Sequence, residues 1–193
     1  NGSKAAQALF YIFGIVTMNP PSIWNRTHNH HHKNNSKTFC ASIGSYPLMT
    51  IESYQKSSAK EKVQYAASRH PVTIALGYIT IFFYGMCLRS LFTNPKRHFD
   101  SAIALVVHLG LIVYLAIYAW EMMLLGVLVP SAIASALGAY LFYAQHNFPG
   151  VKIRDREEWN YVYAALHSSS YMKMSPLMHW FSANIGYHHV HHL

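Results

Sequence analysis

The chain has 193 residues, 52% of them hydrophobic and only 11% charged, where an ordinary soluble domain carries about 25% charged residues. That balance, together with 15% aromatic residues, argues against a typical soluble enzyme and for contact with a bilayer, because Trp and Tyr collect at membrane interfaces. The formal charge of +8, from 15 Lys and Arg against 7 Asp and Glu, does not point to nucleic acid. The basic residues flank long apolar runs instead of gathering on one polar face, a placement that suits the cytoplasmic side of a membrane.

In chain order, residues 5–18 are apolar but shorter than the roughly 20 residues a bilayer crossing needs, so a buried or interfacial helix is expected there, stopped by Asn19-Pro20-Pro21. Ser22 can cap a following helix. Residues 33–70 are polar and mixed, read as surface helix and loop, with a boundary at Arg69-His70-Pro71. Three apolar segments follow, at 72–93, 101–120 and 122–143. The first is basic at both ends (Lys60, Lys62 and Arg69, then Arg89, Lys96 and Arg97), so both ends are expected on the cytoplasmic side and the segment in the interface or re-entrant. The joint between the other two carries Glu121 beside Trp120, and Lys152, Arg154 and Arg156 follow the second arm. Residues 101–143 thus read as one transmembrane hairpin, with Pro130 placed to kink its return arm. Trp159, Val162, Tyr163 and Leu166 recur at helical spacing, which predicts an amphipathic surface helix over 157–170. Ser175-Pro176 is a helix start, and that helix is expected to run into the chain's last histidines. The fold expected is an all-α integral membrane protein: a transmembrane helical hairpin, interfacial helices and a histidine-rich helical cap on the cytoplasmic face, in one domain over 1–193. With no initiator Met and a last residue that directly follows a histidine cluster, the sequence reads as a fragment, incomplete at both ends.

Histidine is the anomaly. Of 14, eight lie in two clusters, Trp24-Asn25-Arg26-Thr27-His28-Asn29-His30-His31-His32 and Asn184-Ile185-Gly186-Tyr187-His188-His189-Val190-His191-His192. Both contain His-x-x-His-His. On a helix each residue advances about 100°, so positions i+3 and i+4 fall within roughly 60° of position i. His28, His31 and His32, and likewise His188, His191 and His192, are then expected to converge as triads on metal. His30 and His189 point away and are expected behind the ligands or at the surface. Asn184, one helical turn before His188, is placed to orient an imidazole or hold a water. Six imidazoles are too many for one tetrahedral zinc, and no carboxylate lies within ten residues of either cluster, unlike the Glu-rich sites of soluble di-iron bundles. The clusters are interrupted and sit beside apolar runs, which sets them apart from an expression tag. His146, at the end of the third apolar segment, lies at the right depth to join them. His108 falls within a predicted span and is expected to bond a neighbouring helix. His70, His98, His167 and His179 read as ordinary interface residues. Cys40 and Cys87 form no metal-type pair and no disulfide framework.

These clusters resemble the second and third histidine boxes of the membrane fatty acid desaturases, most closely the bacterial-type acyl-lipid enzymes of the delta-12 or omega-6 class. Gln145-His146-Asn147-Phe148, Glu158-Trp159 and Ser169-Ser170-Tyr171 also fit that group, and the resemblance covers almost the whole chain. It implies two iron ions held by His28, His31, His32, His188, His191 and His192, with His146 matching the family's isolated histidine. It also implies dioxygen as co-substrate, a fatty acyl lipid as substrate, and an external electron donor of ferredoxin or cytochrome type. The family's first box, of HDxxH type, lies upstream of a stretch like Asn1-Gly2-Ser3, so these residues alone are expected to fall short of a full set of iron ligands. A hydroxylase or ketolase on the same scaffold would share fold and metals. A metal transporter would need polar residues along the spans, and 101–143 offers only His108, Glu121 and a few Ser.

Overall fold

The computed structural model describes residues 3–37 and 45–193; Cys40 lies outside them. Every regular element among the described residues is helical. In order these are α1 (Lys4–Val16), α2 (Pro21–Asn34), α3 (Ile51–Lys56), α4 (Ala59–Arg69), α5 (Pro71–Ala75), a π-helical stretch Tyr78–Arg89, α6 (Ser90–Thr93), α7 (Phe99–Tyr118), a second π-helical stretch Met122–Leu128 continuing into α8 (Val129–Ala144), α9 (Tyr161–His167), α10 (Pro176–Phe181) and α11 (His188–His191). Extended pairing is limited to two isolated bridges, Lys37 with Arg154 and Tyr171 with Tyr187. The chain forms two compact units, one of residues 1–26 and 71–139, the other of residues 27–70 and 140–193.

In the first unit, α1 begins where the Ser3 side chain accepts from the Ala6 N–H at 3.1 Å. It ends in a tight reversal: the Asn19 N–H bonds the Gly14 carbonyl at 2.7 Å, so close that a Cβ on Gly14 would lie 2.6 Å from the Asn19 carbonyl oxygen. Only glycine fits such an approach. Most large residues of α1 face outward, with Phe10 74% and Leu9 68% exposed, as an interfacial helix requires. The two long apolar helices, Phe99–Tyr118 and Met122–Ala144, have 20 and 23 residues, and only 22% and 6% of their apolar windows are buried. A core helix of a soluble protein would be mostly buried, whereas an apolar surface turned outward suits lipid. The return arm leaves regular α geometry just before Pro130, where a proline removes a backbone donor. Small residues bring the 72–93 segment against the return arm: a Cβ on Gly77 would lie 2.7 Å from both the Ser135 carbonyl and the Ala139 side chain, the close backbone approach typical of membrane helix packing. His108 bonds the Tyr78 hydroxyl, the neighbouring-helix contact expected of it.

Ser22 does not cap α2, which starts one residue earlier. Its N–H donates to Asp100 Oδ2 at 2.8 Å, its hydroxyl donates to Asp100 Oδ1 at 2.6 Å, and it also meets His98 Nδ1 at 2.7 Å. Asp100 and His98 are 6% and 2% exposed. A carboxylate from the first turn of α7 therefore does the capping work for α2, and His98 is part of a buried polar cluster and not a plain interface residue. Asp100→Ala strands the Ser22 N–H at the start of α2 and leaves the Ser22 hydroxyl only its contact with His98. It is expected to cost about 2 kcal/mol, read as a lower Tm of the purified protein in detergent, while an exposed Lys60→Ala leaves Tm unchanged.

In the second unit, α2 ends at Asn34 and Ser36 takes a φ of 60°. The outgoing chain is pinned to residues 154–169. The Trp159 indole N–H donates to the Asn35 carbonyl at 2.7 Å, Asn35 Nδ2 donates to Ser169 Oγ at 3.0 Å, and Lys37 Nζ lies 3.9 Å over the Trp159 ring. The amphipathic helix expected over 157–170 is shorter, Tyr161–His167, because Asn160 caps it through the Tyr163 N–H. Trp159 is spent on Asn35 instead. Ser175 caps α10 with Pro176 in its first turn, as the sequence predicts. That helix does not run into the histidines: it stops at Phe181, and turns through Ala183 and Asn184, at φ of 51° and 61°, separate it from α11.

Candidate metal centre

Three chain segments of the second unit bring seven imidazoles together, the end of α2, the residues just after α8, and α11 with the residue that ends it, while the chain after α9 adds the Ser168 carbonyl. They form two groups. In one, His31, His146, His188 and His192 are all buried; in the other are His28, His32 and His191, and within each group the ligand atoms lie within 4.8 Å of one another. His146 Nε2 is the hub of the first, 2.8 Å from His31 Nε2, 2.8 Å from His188 Nε2 and 3.2 Å from His192 Nε2. His188 and His192 Nε2 are 3.2 Å apart. In the second, His32 Nε2 is 3.3 Å from His28 Nε2 and 3.1 Å from His191 Nε2, and His191 to His28 is 3.3 Å.

The two triads do not each serve one point. Each His-x-x-His-His is divided between the groups. His28 and His32 go to the exposed group and His31 to the buried one, while His188 and His192 go to the buried group and His191 to the exposed one. Helix geometry explains the division. Positions i and i+4 lie about 40° apart, but i+3 and i+4 lie about 100° apart, on opposite sides of i. Two imidazoles one turn apart can share a centre; the third must face another.

The donor set fits metal. Ligands at about 2.1 Å from an ion and at right angles to each other are about 3.0 Å apart, and the separations of 2.8–3.3 Å bracket that value. An all-imidazole set suits iron, copper, nickel or zinc. Burial, then the neighbouring imidazoles, hold His28 down to about 4 and His31 to about 2, and push His188 and His192 lower still. Burial also takes His146 to about 4, against an opposing bond to the Ser168 carbonyl. His32 and His191 are lowered by burial as well. All seven are therefore neutral at pH 7, the state that offers a lone pair to a metal. His146 Nδ1 lies 2.9 Å from the Ser168 carbonyl. That bond puts the proton on Nδ1 and frees Nε2 towards its three neighbours.

The depressed values have a signed consequence. An unfolded chain takes up protons on these histidines near pH 6.5, whereas the folded site resists them. The site's stability is thus fully present above pH 6.5 and is lost progressively below it, towards about 4 for His28 and His146. Thermal unfolding of the metal-free protein is expected to be flat from pH 8 to 7 and to fall steeply from 6.5 to 5. A Tm unchanged at pH 5 would count against burial of neutral imidazoles.

His30 and His189 belong to neither group; His30 Nε2 and His189 Nδ1 are buried without a hydrogen-bond partner. Asn184 is exposed and outside any helix, so the shared helical face expected for it does not exist. The sequence reading missed Gln145, 2% exposed. Its side chain donates to the Ile185 carbonyl at 3.3 Å and its own carbonyl accepts from the Ser170 N–H at 3.0 Å, tying the His146 turn to the chain before α11. It also missed the carbonyl of Ser168. The signal available was a Gln beside His146 and a Ser-Ser-Ser run after a short helix.

A family model described as "Fatty acid desaturase" matches residues 2–193. A curated protein of Bacillus subtilis (strain 168), named "Fatty acid desaturase", is 30% identical over 190 residues, which cover 96% of this chain and 53% of the relative. The chain thus spans about half the length of the curated relative it matches. No solved structure matches it.

Proposed function

This chain belongs to the fatty acid desaturase family, and on that footing we propose that it supplies much of the iron-binding part of a membrane enzyme that introduces a C=C bond into the acyl chain of a membrane lipid. The reaction would use dioxygen and two electrons from an external ferredoxin- or cytochrome-type donor. The observation that carries this reading is the division of seven neutral imidazoles into two groups, four and three. Two irons held there would supply redox chemistry able to turn dioxygen into the strong oxidant that an unactivated methylene requires, which zinc cannot do.

The ligands are His31, His146, His188 and His192 for one ion and His28, His32 and His191 for the other. His146 is oriented by the Ser168 carbonyl. Burial of the four-imidazole group excludes water and keeps protons off the ligand nitrogens. His30, His189 and Asn184 are assigned to the surroundings and not to the metals. Residues 101–143 form the transmembrane hairpin and 72–93 an interfacial or re-entrant segment of a single desaturase domain. The cationic flanks, from Lys60 to Arg97 and Lys152 to Arg156, favour the cytoplasmic face for the histidines.

The test is expression of the full-length gene in a host whose lipids lack the product, with gas chromatography of its fatty acids. A new unsaturated acid that disappears in His188→Ala is the expected result. A hydroxylated acid instead would assign the scaffold to a hydroxylase, and no new acid from well-expressed protein supplied with a reductase would sink the desaturase reading.

A further inference from the structure

The short helix α10 turns its apolar side outward. Leu177, Trp180 and Phe181 stand at i, i+3 and i+4, on one side of the helix, and are 63%, 74% and 69% exposed. No residue of α10 is buried. Its one ionisable side chain, His179, points the other way and stacks on the Tyr187 ring, 5.0 Å between centroids. A helix on a water-soluble protein keeps its apolar stripe against the core; here the stripe faces away from it. The Trp180 and Phe181 rings meet edge to face at 4.9 Å and form one apolar surface.

What that surface meets follows from where the base of α10 is tied. The return arm of the hairpin ends at Ala144, and its last turn, from Tyr140, belongs to the same unit as α10. Gln145, the next residue, bonds the chain on both sides of α10: its side chain donates to the Ile185 carbonyl at 3.3 Å and its carbonyl accepts from the Ser170 N–H at 3.0 Å. Tyr171 lines one cavity with Tyr140 and Ala144 and pairs with Tyr187 in a backbone bridge. The segment that carries α10 is therefore anchored where an apolar span ends, continuous with the outward-facing surface of that span. Its composition suits the same level. Residues 159–193 contain no Asp or Glu, and their one Lys or Arg is Lys173, which is exposed just before the helix, as is Tyr171. Aromatic rings beside a lysine, with no acid, are what a membrane interface selects.

We propose that α10 is a membrane-contact helix, separate from the hairpin. It lies in the headgroup region of the bilayer, with Leu177, Trp180 and Phe181 at the top of the acyl chains and Lys173 among the lipid phosphates. The occupant of this face is the phospholipid surface itself. The contact does not depend on which reaction the histidines carry out.

The full-length protein is placed in nanodiscs of phosphatidylcholine and phosphatidylglycerol. Trp180 is read as the fluorescence difference between this protein and Trp180→Phe, which keeps the apolar face. Phosphatidylcholine brominated near the headgroup end of its acyl chain is expected to quench that component at least about twofold more than lipid brominated near the chain terminus, because an interfacial helix sits about 5–10 Å deep. Leu177→Ser with Phe181→Ser, which leaves Trp180 in place, is expected to lower the lipid quenching about twofold and to raise quenching by acrylamide from the water. Strong acrylamide quenching of the unaltered protein without quenching by brominated lipid would place α10 in water. Shielding from both quenchers would place it against protein, either a second copy or another part of the chain. Equal or stronger quenching from the chain terminus would make it a deeply inserted segment. Each of these three results overturns the proposal.

Discussion

His191→Ala and His192→Ala are expected to take iron from different groups, and each to lower desaturation in the full-length protein by at least about 100-fold. The residues are adjacent, yet His192 is 1% exposed and faces His146 and His188, whereas His191 is exposed and faces His28 and His32. Pairs of substitutions make the division measurable as iron per chain. His188→Ala with His192→Ala removes two ligands from one group and is expected to leave about one iron; His191→Ala with His192→Ala damages both groups and is expected to leave close to none. If each triad instead served a single ion, the two double variants would have the same iron content. His30→Ala, which touches neither group, is expected to keep its iron.

Gly186→Ala is expected to lower turnover about 10- to 100-fold without altering any ligand. The added methyl would lie 2.7 Å from the Met172 carbonyl oxygen, 3.0 Å from His179 Cε1 and 3.3 Å from Met174 Sδ. The nearest of these is backbone, held in place by the Met172 N–H bond to the Gly186 carbonyl at 2.9 Å and by the Tyr171–Tyr187 bridge, so the strand-like contact itself must open. Overpacking of this kind costs about 1–3 kcal/mol. Because α11 begins two residues later, the displacement reaches His188, and a misplacement of about 1 Å at a reacting centre costs on the order of 100-fold. Gly110, with nothing within 4 Å of its added Cβ, is the control: Gly110→Ala should leave iron content and turnover as they are. A Gly186→Ala protein with wild-type iron and rate would show that this contact does not position α11.

Much of the architecture was legible in the sequence because it depends on local pattern. Apolar runs of spanning length mark the hairpin, Ser175-Pro176 marks the start of α10, and Arg69-His70-Pro71 marks the break between α4 and α5. Each is set within a few residues by hydrogen-bonding and solvation rules that act along the chain. The histidine boxes were legible for the same reason, as residue types at one-turn spacing. Local pattern failed where a distant partner competed for a group. Ser22 was claimed by Asp100, Trp159 by Asn35, and the helix expected to carry Asn184 towards His188 gave way to a turn closed by the Asn184 N–H on the His179 carbonyl at 2.7 Å. The partition of the imidazoles belongs to the same class. Residue spacing establishes that three side chains of a box can reach metal, but which centre each one meets depends on where α2, the turn at His146 and α11 converge. That is decided by the tertiary contacts of Gln145, Ser168 and Gly186, which bring residues more than a hundred positions apart to within 3 Å.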